Sequence, residues 1–139
     1  MLDKNFVKIE KITAVSFRPF GRIIEYPKKH LKGNKRNLWR IILTDPNALG
    51  WRIAYLVLRD RRIHRLERHR DTYESFEPIA GKCLIYLSQY PQKGDIKCFL
   101  LDCPIILNKG IWHGLVTLDQ ECEIKITENA KLMCEYFKI

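Results

Sequence analysis

The sequence predicts an all-β fold, a single domain over residues 1–139 built as an antiparallel barrel or double-sheet jelly roll. Three observations carry that expectation. Short runs rich in Val, Ile, Leu, Tyr, Phe and Cys recur along the chain, turn-forming residues separate them, and one run alternates polar and apolar residues throughout.

In chain order the runs are "WRIAYLVL" (51–58), "KCLIYLSQY" (82–90), "IKCFLLD" (96–102), "PIILN" (104–108), "LVTL" (115–118) and "CEIKIT" (122–127). The last is the alternating one: Cys122, Ile124 and Ile126 face one way, Glu121, Glu123 and Lys125 the other, as in a half-buried strand. Breakers fall at Pro19 with Gly21, Pro27, Gly33-Asn34, Asp45-Pro46-Asn47 with Gly50, Pro78 with Gly81, Pro91 with Gly94, and Asn108 with Gly110. A single short helical piece is expected around Pro46 to Trp51, and the polar segment Lys28 to Asn37 is expected to be a mobile loop.

At 139 residues, 46% hydrophobic and 29% charged, the chain has the size and composition of one globular domain rather than of a disordered segment. The N-terminus "MLDKNFVKIEKITAV" has no basic segment leading into an apolar core and cleavage site, and no apolar run approaches the ~20 residues that span a bilayer. A cytoplasmic location with no membrane partner is the expectation. Cys83, Cys98, Cys103, Cys122 and Cys134 show no metal-knuckle or redox spacing and are read as reduced thiols without a chemical role. The net charge of +9 suits anionic partners, but the basic residues are spread along the chain with no recognised nucleic-acid motif or aromatic-rich basic strand. Nucleic acid is therefore not expected as the partner.

Two stretches carry chemistry. In "RRIHRLERHRDTYESFEPIAG", period-two alternation puts Glu67 and His69 on one strand face and Leu66 and Arg68 on the other. Side chains two residues apart stand roughly 6.5–7 Å apart, so Glu67 and His69 can converge on one small atom. If the run from Glu74 returns antiparallel beside the first, Glu74 joins them in a barrel mouth. The second stretch is "LNKGIWHGL", where Gly110 allows a turn, Trp112 offers an apolar wall and His113 a base or ligand.

"LERH", then "SFEPIAG", then "NKGIWHG", preceded by "FRPFGRIIEYP", together resemble the ureidoglycolate lyase family from about Phe17 to Val116. That resemblance implies a cupin-type double-stranded β-helix and the release of urea from ureidoglycolate, a step of purine breakdown that leaves glyoxylate. It implies catalytic roles for His69, His113 and Glu67, and substrate contacts from Lys109, Arg68 and Trp112, with Lys109 the first choice for the substrate carboxylate. It also implies a homodimer. Two positions depart from the family pattern: Gly114 stands where a second His is common, and Glu74 where a Gln is usual. Glu67, His69, Glu74 and His113 form a mixed nitrogen and oxygen set suited to Mn, Fe, Ni or Zn. Alternatives are thus a metal-dependent cupin enzyme of other chemistry, an isomerase or oxygenase, or a non-catalytic binder of small carboxylic acids.

Overall fold

The computed structural model describes residues 7–139, so the first six residues of the N-terminal stretch read against secretion lie outside it. The strands are β1 (Ile9–Lys11), β2 (Gly21–Ile23), β3 (Arg52–Leu58), β4 (Arg65–Arg68), β5 (Glu74–Ala80) and β6 (Cys83–Ser88). They continue with β7 (Lys97–Leu100), β8 (Ile105–Leu107), β9 (Trp112–Thr117), β10 (Cys122–Glu128) and β11 (Glu135–Lys138). Six form one sheet, in the order β1-β7-β6-β9-β4-β11, and five the other, in the order β2-β8-β5-β10-β3. From β3 to β10 the chain passes from sheet to sheet at every connection except the β6–β7 hairpin, giving β3-β10-β5-β8 against β4-β9-β6-β7. This is the double-stranded β-helix, or jelly roll, of the cupin type that the sequence predicts.

Burial follows the alternation. Cys83, Ile85 and Leu87 of β6, Phe99 of β7, Ile105 of β8 and Cys122 and Ile124 of β10 point between the sheets and form the main core with Phe17, Phe20 and Phe76. The opposite face of the six-stranded sheet carries a second cluster of Leu66, Leu84, Tyr86, Cys98, Trp112 and Val116. β6 is therefore buried on both faces, which explains its continuous apolar run.

Two local expectations change. No helix forms around Pro46 to Trp51; the Asp45 carboxylate accepts the Asn47 N–H at 3.0 Å and closes a turn, the competing local bond that favours turns over helices. Short 3₁₀ turns stand instead at Lys28–His30 and Pro91–Lys93. Nor does β5 return beside β4. β5 pairs with β8 and β10 in the opposite sheet, because each strand has a buried face that only the facing sheet can cover. Among the described residues no helix is long and apolar enough to cross a membrane.

Candidate metal centre

The crossover from β4 to β5 still brings Glu67, His69 and Glu74 to one end of the barrel, now from two sheets. His113 is the register partner of Glu67, and Glu128 the register partner of Glu74. All five point inward. Glu74 Oε1 sits at the centre, 3.3 Å from His69 Nε2 and 3.2 Å from His113 Nε2. Glu67 Oε1 lies 3.6 Å from His113 Nε2, and Glu128 Oε1 lies 3.9 Å from His69 Nε2.

The hydrogen bonds around this cluster are one-sided. His69 Nδ1 donates to the Met133 carbonyl at 3.1 Å and His113 Nδ1 to the Ile111 carbonyl at 3.0 Å. A carbonyl only accepts, so both rings carry a proton on Nδ1 and aim Nε2 at Glu74. Yet Glu74 Oε1, His113 Nε2 and Glu128 Oε1 are buried with no hydrogen-bond partner. The space beside His69, Glu74 and His113, closed by Thr72, Leu107 and Ile111, has no room for a water molecule, while Glu128 borders the cavity next to it. Buried polar atoms left unpaired cost free energy, and like charges directly opposite on paired strands repel, so a cation beside Glu74 would stabilise the cluster.

Without one, protons serve. Burial pulls His113 down, but the Glu74 charge and the contact with Glu67 outweigh it and push it up to about 10. Burial raises Glu74, but the two imidazoles outweigh it and hold it at about 2. Burial and the Glu74 charge raise Glu128 despite Arg52, and contact with His113 lowers Glu67.

His69, Glu74 and His113 are a buried group able to hold a metal ion, and Glu67, His69 and Cys134 form a second group sharing His69. Of the residues expected to contact substrate, none joins the cluster. Lys109 is held by Asp45, Nζ to Oδ2 3.0 Å, and lies over the Tyr73 ring. Asp45 and Tyr73 border a cavity of about 330 Å³ that reaches Glu74 and Glu128. Arg68 and Trp112 face the other way, where Arg68 covers the indole at 4.5 Å and pairs with Glu135 at 3.0 Å. Trp112 follows from alternation: neighbours on a strand take opposite faces, so a residue adjacent to inward His113 cannot wall the same site.

Three residues near the cluster are new to the structure. Glu128 continues the inward phase of Cys122, Ile124 and Ile126 by one step, a signal present in the sequence. Arg52, whose Nη2 and Nε donate to Glu128 Oε2 at 3.1 and 3.3 Å, becomes visible only through the pairing of β3 with β10. Cys134, given no role from spacing, is exposed beside Glu67 and His69.

Fold and site together define a cupin-type jelly roll with a His/Glu cluster able to hold a metal. No family model and no curated protein matches the chain. Among solved structures it is similar to a dTDP sugar isomerase from Desulfovibrio desulfuricans G20, with 14% identity, a TM-score of 0.49, and coverage of 86% of this chain and 82% of that one.

Proposed function

We propose that the protein is a metal-dependent enzyme acting on a small 2-hydroxy or 2-oxo carboxylic acid, with ureidoglycolate cleavage as its finer form. One observation carries the metal: two imidazoles fixed through Nδ1 by carbonyls, both aiming Nε2 at Glu74, with His113 Nε2 and Glu74 Oε1 buried and unpaired beside a space too small for water. Anchoring of the second ring nitrogen is the usual support of a ligating histidine. His69, Glu74 and His113 would hold the ion, which would act as a Lewis acid toward the substrate oxygens.

The chain's own residues supply the rest. Glu67, with a side chain 40% exposed beside His113, is the most exposed carboxylate of the cluster, and it takes the proton of the substrate hydroxyl. With ureidoglycolate, the carbonyl of glyoxylate forms as the C–N bond breaks, and the nitrogen of urea takes a proton. Glu128, fixed through Oε2 by Arg52, presents a free Oε1 to deliver it. Lys109 takes the substrate carboxylate by exchanging Asp45 for it. Ureidoglycolate is the first substrate to test because the segments Leu66–His69, Ser75–Gly81 and Asn108–Gly114 resemble that lyase family.

Protein purified without chelator should carry close to one equivalent of a divalent transition metal. Less than about a tenth of an equivalent, with no uptake on titration, would sink the metal-dependent enzyme. Metal-loaded protein that leaves ureidoglycolate untouched would sink the lyase form and leave isomerase or oxygenase chemistry on another small acid.

A further inference from the structure

A cavity bordered by β2 and the turns on either side of it shares no residue with the His/Glu cluster. It encloses about 440 Å³, and Arg18, Arg22, Lys29 and Arg40 border it with Glu25 as the one acid. We propose that this cavity is a second site, specific for a multiply charged phosphate group, with pyrophosphate as its minimal ligand.

The charge distribution is the first support. Eight of the 25 Lys and Arg residues, Arg18, Arg22, Lys28, Lys29, Lys32, Lys35, Arg36 and Arg40, fall in one stretch that contains Glu25 as its single acid. Elsewhere Arg52, Arg59, Arg68, Arg70, Lys109 and Lys125 are each matched to a carboxylate. Among the described residues, none of the four cations at the cavity makes such a pair. Cations gathered around a concave space without counter-charges raise the local potential and concentrate anions there.

The second support is that the wall is held in place. Gly21 lies so close to β8 that a Cβ on it would stand 1.9 Å from the Ile106 carbonyl oxygen, so only glycine lets β2 seat there and present Arg22. Arg22 Nη1 donates to the Ile42 carbonyl at 2.8 Å and ties down the segment that carries Arg40. On the other side Thr13 and Ser16 exchange hydrogen bonds, the Thr13 N–H to Ser16 Oγ at 2.9 Å and the Ser16 N–H to Thr13 Oγ1 at 3.0 Å, fixing the turn that leads to Arg18. Three guanidinium forks match phosphate oxygens bidentately, and one carboxylate would leave most of that charge unmatched. None of the cavity's residues borders the metal cluster or the cavity beside Glu74, so this site stands or falls separately from the proposed enzyme activity.

Calorimetric titration in EDTA and about 0.15 M salt, where weak surface attraction is screened, tests the proposal. The probes are pyrophosphate, inorganic phosphate, ADP and a short single-stranded oligonucleotide. Pyrophosphate should bind saturably at one site and more tightly than phosphate, and Arg40→Gln or Lys29→Gln should each weaken it about tenfold, whereas Lys35→Gln, outside the cavity, should not. ADP at or above the pyrophosphate affinity identifies a free nucleotide as the source. Absence of saturable pyrophosphate binding, an equal loss in Lys35→Gln, or binding of the oligonucleotide alone overturns the site.

Discussion

β4 and β9 show two faces of opposite character, and the contrast separates what holds this protein together from what it does. Outward, Trp112 meets Phe137 edge-on at 6.0 Å and lies under Arg68, which is itself paired with Glu135. Inward, one residue along each strand, Glu67 and His113 join a cluster in which buried polar atoms have no partner. A face whose charges are paired, with only Arg68 Nε left without a partner, stabilises the fold, whereas a face that gathers three unanswered atoms at Glu74, His113 and Glu128 costs stability. The same two strands do both because alternation keeps the two environments a sheet's thickness apart.

The largest effect should come from breaking the outward face. Trp112→Ala should cost about 3–5 kcal/mol, measured by denaturant unfolding, because the indole is buried among Leu66, Tyr86 and Phe137. The folded fraction should still take up metal. Loss of metal binding in well-folded protein would mean that the two faces are not independent.

The inward face should respond in the opposite sense. His113→Ala should lower metal affinity by more than about 100-fold, since changes to outer partners alone cost 10–100-fold. Glu128→Gln should raise or leave unchanged the melting temperature of metal-free protein at neutral pH, because it removes a carboxylate whose charge burial disfavours, while slowing turnover. A clear fall in stability would show that Glu128 is structural.

pH sharpens the same comparison. Glu74, held at about 2 against an ordinary 4.5, contributes stability that is present above about pH 4.5 and lost as pH falls toward 2. His113, raised from 6.5 to about 10, contributes stability that is present below about pH 6.5 and lost as pH rises through 10. Metal-free protein should therefore melt highest between roughly pH 4.5 and 6.5. Bound metal displaces the imidazole protons, so it should move the maximum upward and bind more tightly as pH rises. Coincident profiles with and without metal would contradict ligation by His113.

Much of this was legible in the chain. The runs around β3 and β6 to β10 were visible as strands, and alternation alone put Glu67 and His69 on one face with Leu66 and Arg68 on the other. β1 and β2 have three residues each, too few to show a period, and the sequence leaves a β4–β5 hairpin open because crossing between sheets is a non-local choice. His69, Glu74 and His113 are legible as candidates because each sits in a recognisable segment, and the structure brings their side chains together. Glu128 was one step beyond the alternating run, and its Arg52 partner depends on strand register that no local pattern encodes.

A smaller effect is expected at the rim. Asp45→Asn should free Lys109 and lower KM for a carboxylate substrate about two- to fivefold, the size of a partly exposed ion pair, while Lys109→Met should raise it. If both substitutions leave KM unchanged, Lys109 does not meet the substrate, and the cation for its carboxylate lies elsewhere.

The smallest effect should fall on Arg68, and it is the most direct check on the division between faces. The family resemblance places Arg68 at the substrate, whereas alternation and the structure place it over Trp112. Arg68→Met keeps an apolar stem over the indole and removes only the charge, so stability should fall by about 0.5–1 kcal/mol, the worth of a cation above an aromatic ring. Metal content and KM should not move, because the guanidinium and the cluster are on opposite sides of β4. A KM raised tenfold with stability intact would put Arg68 at the substrate and refute the assignment of its side of the sheet to packing alone.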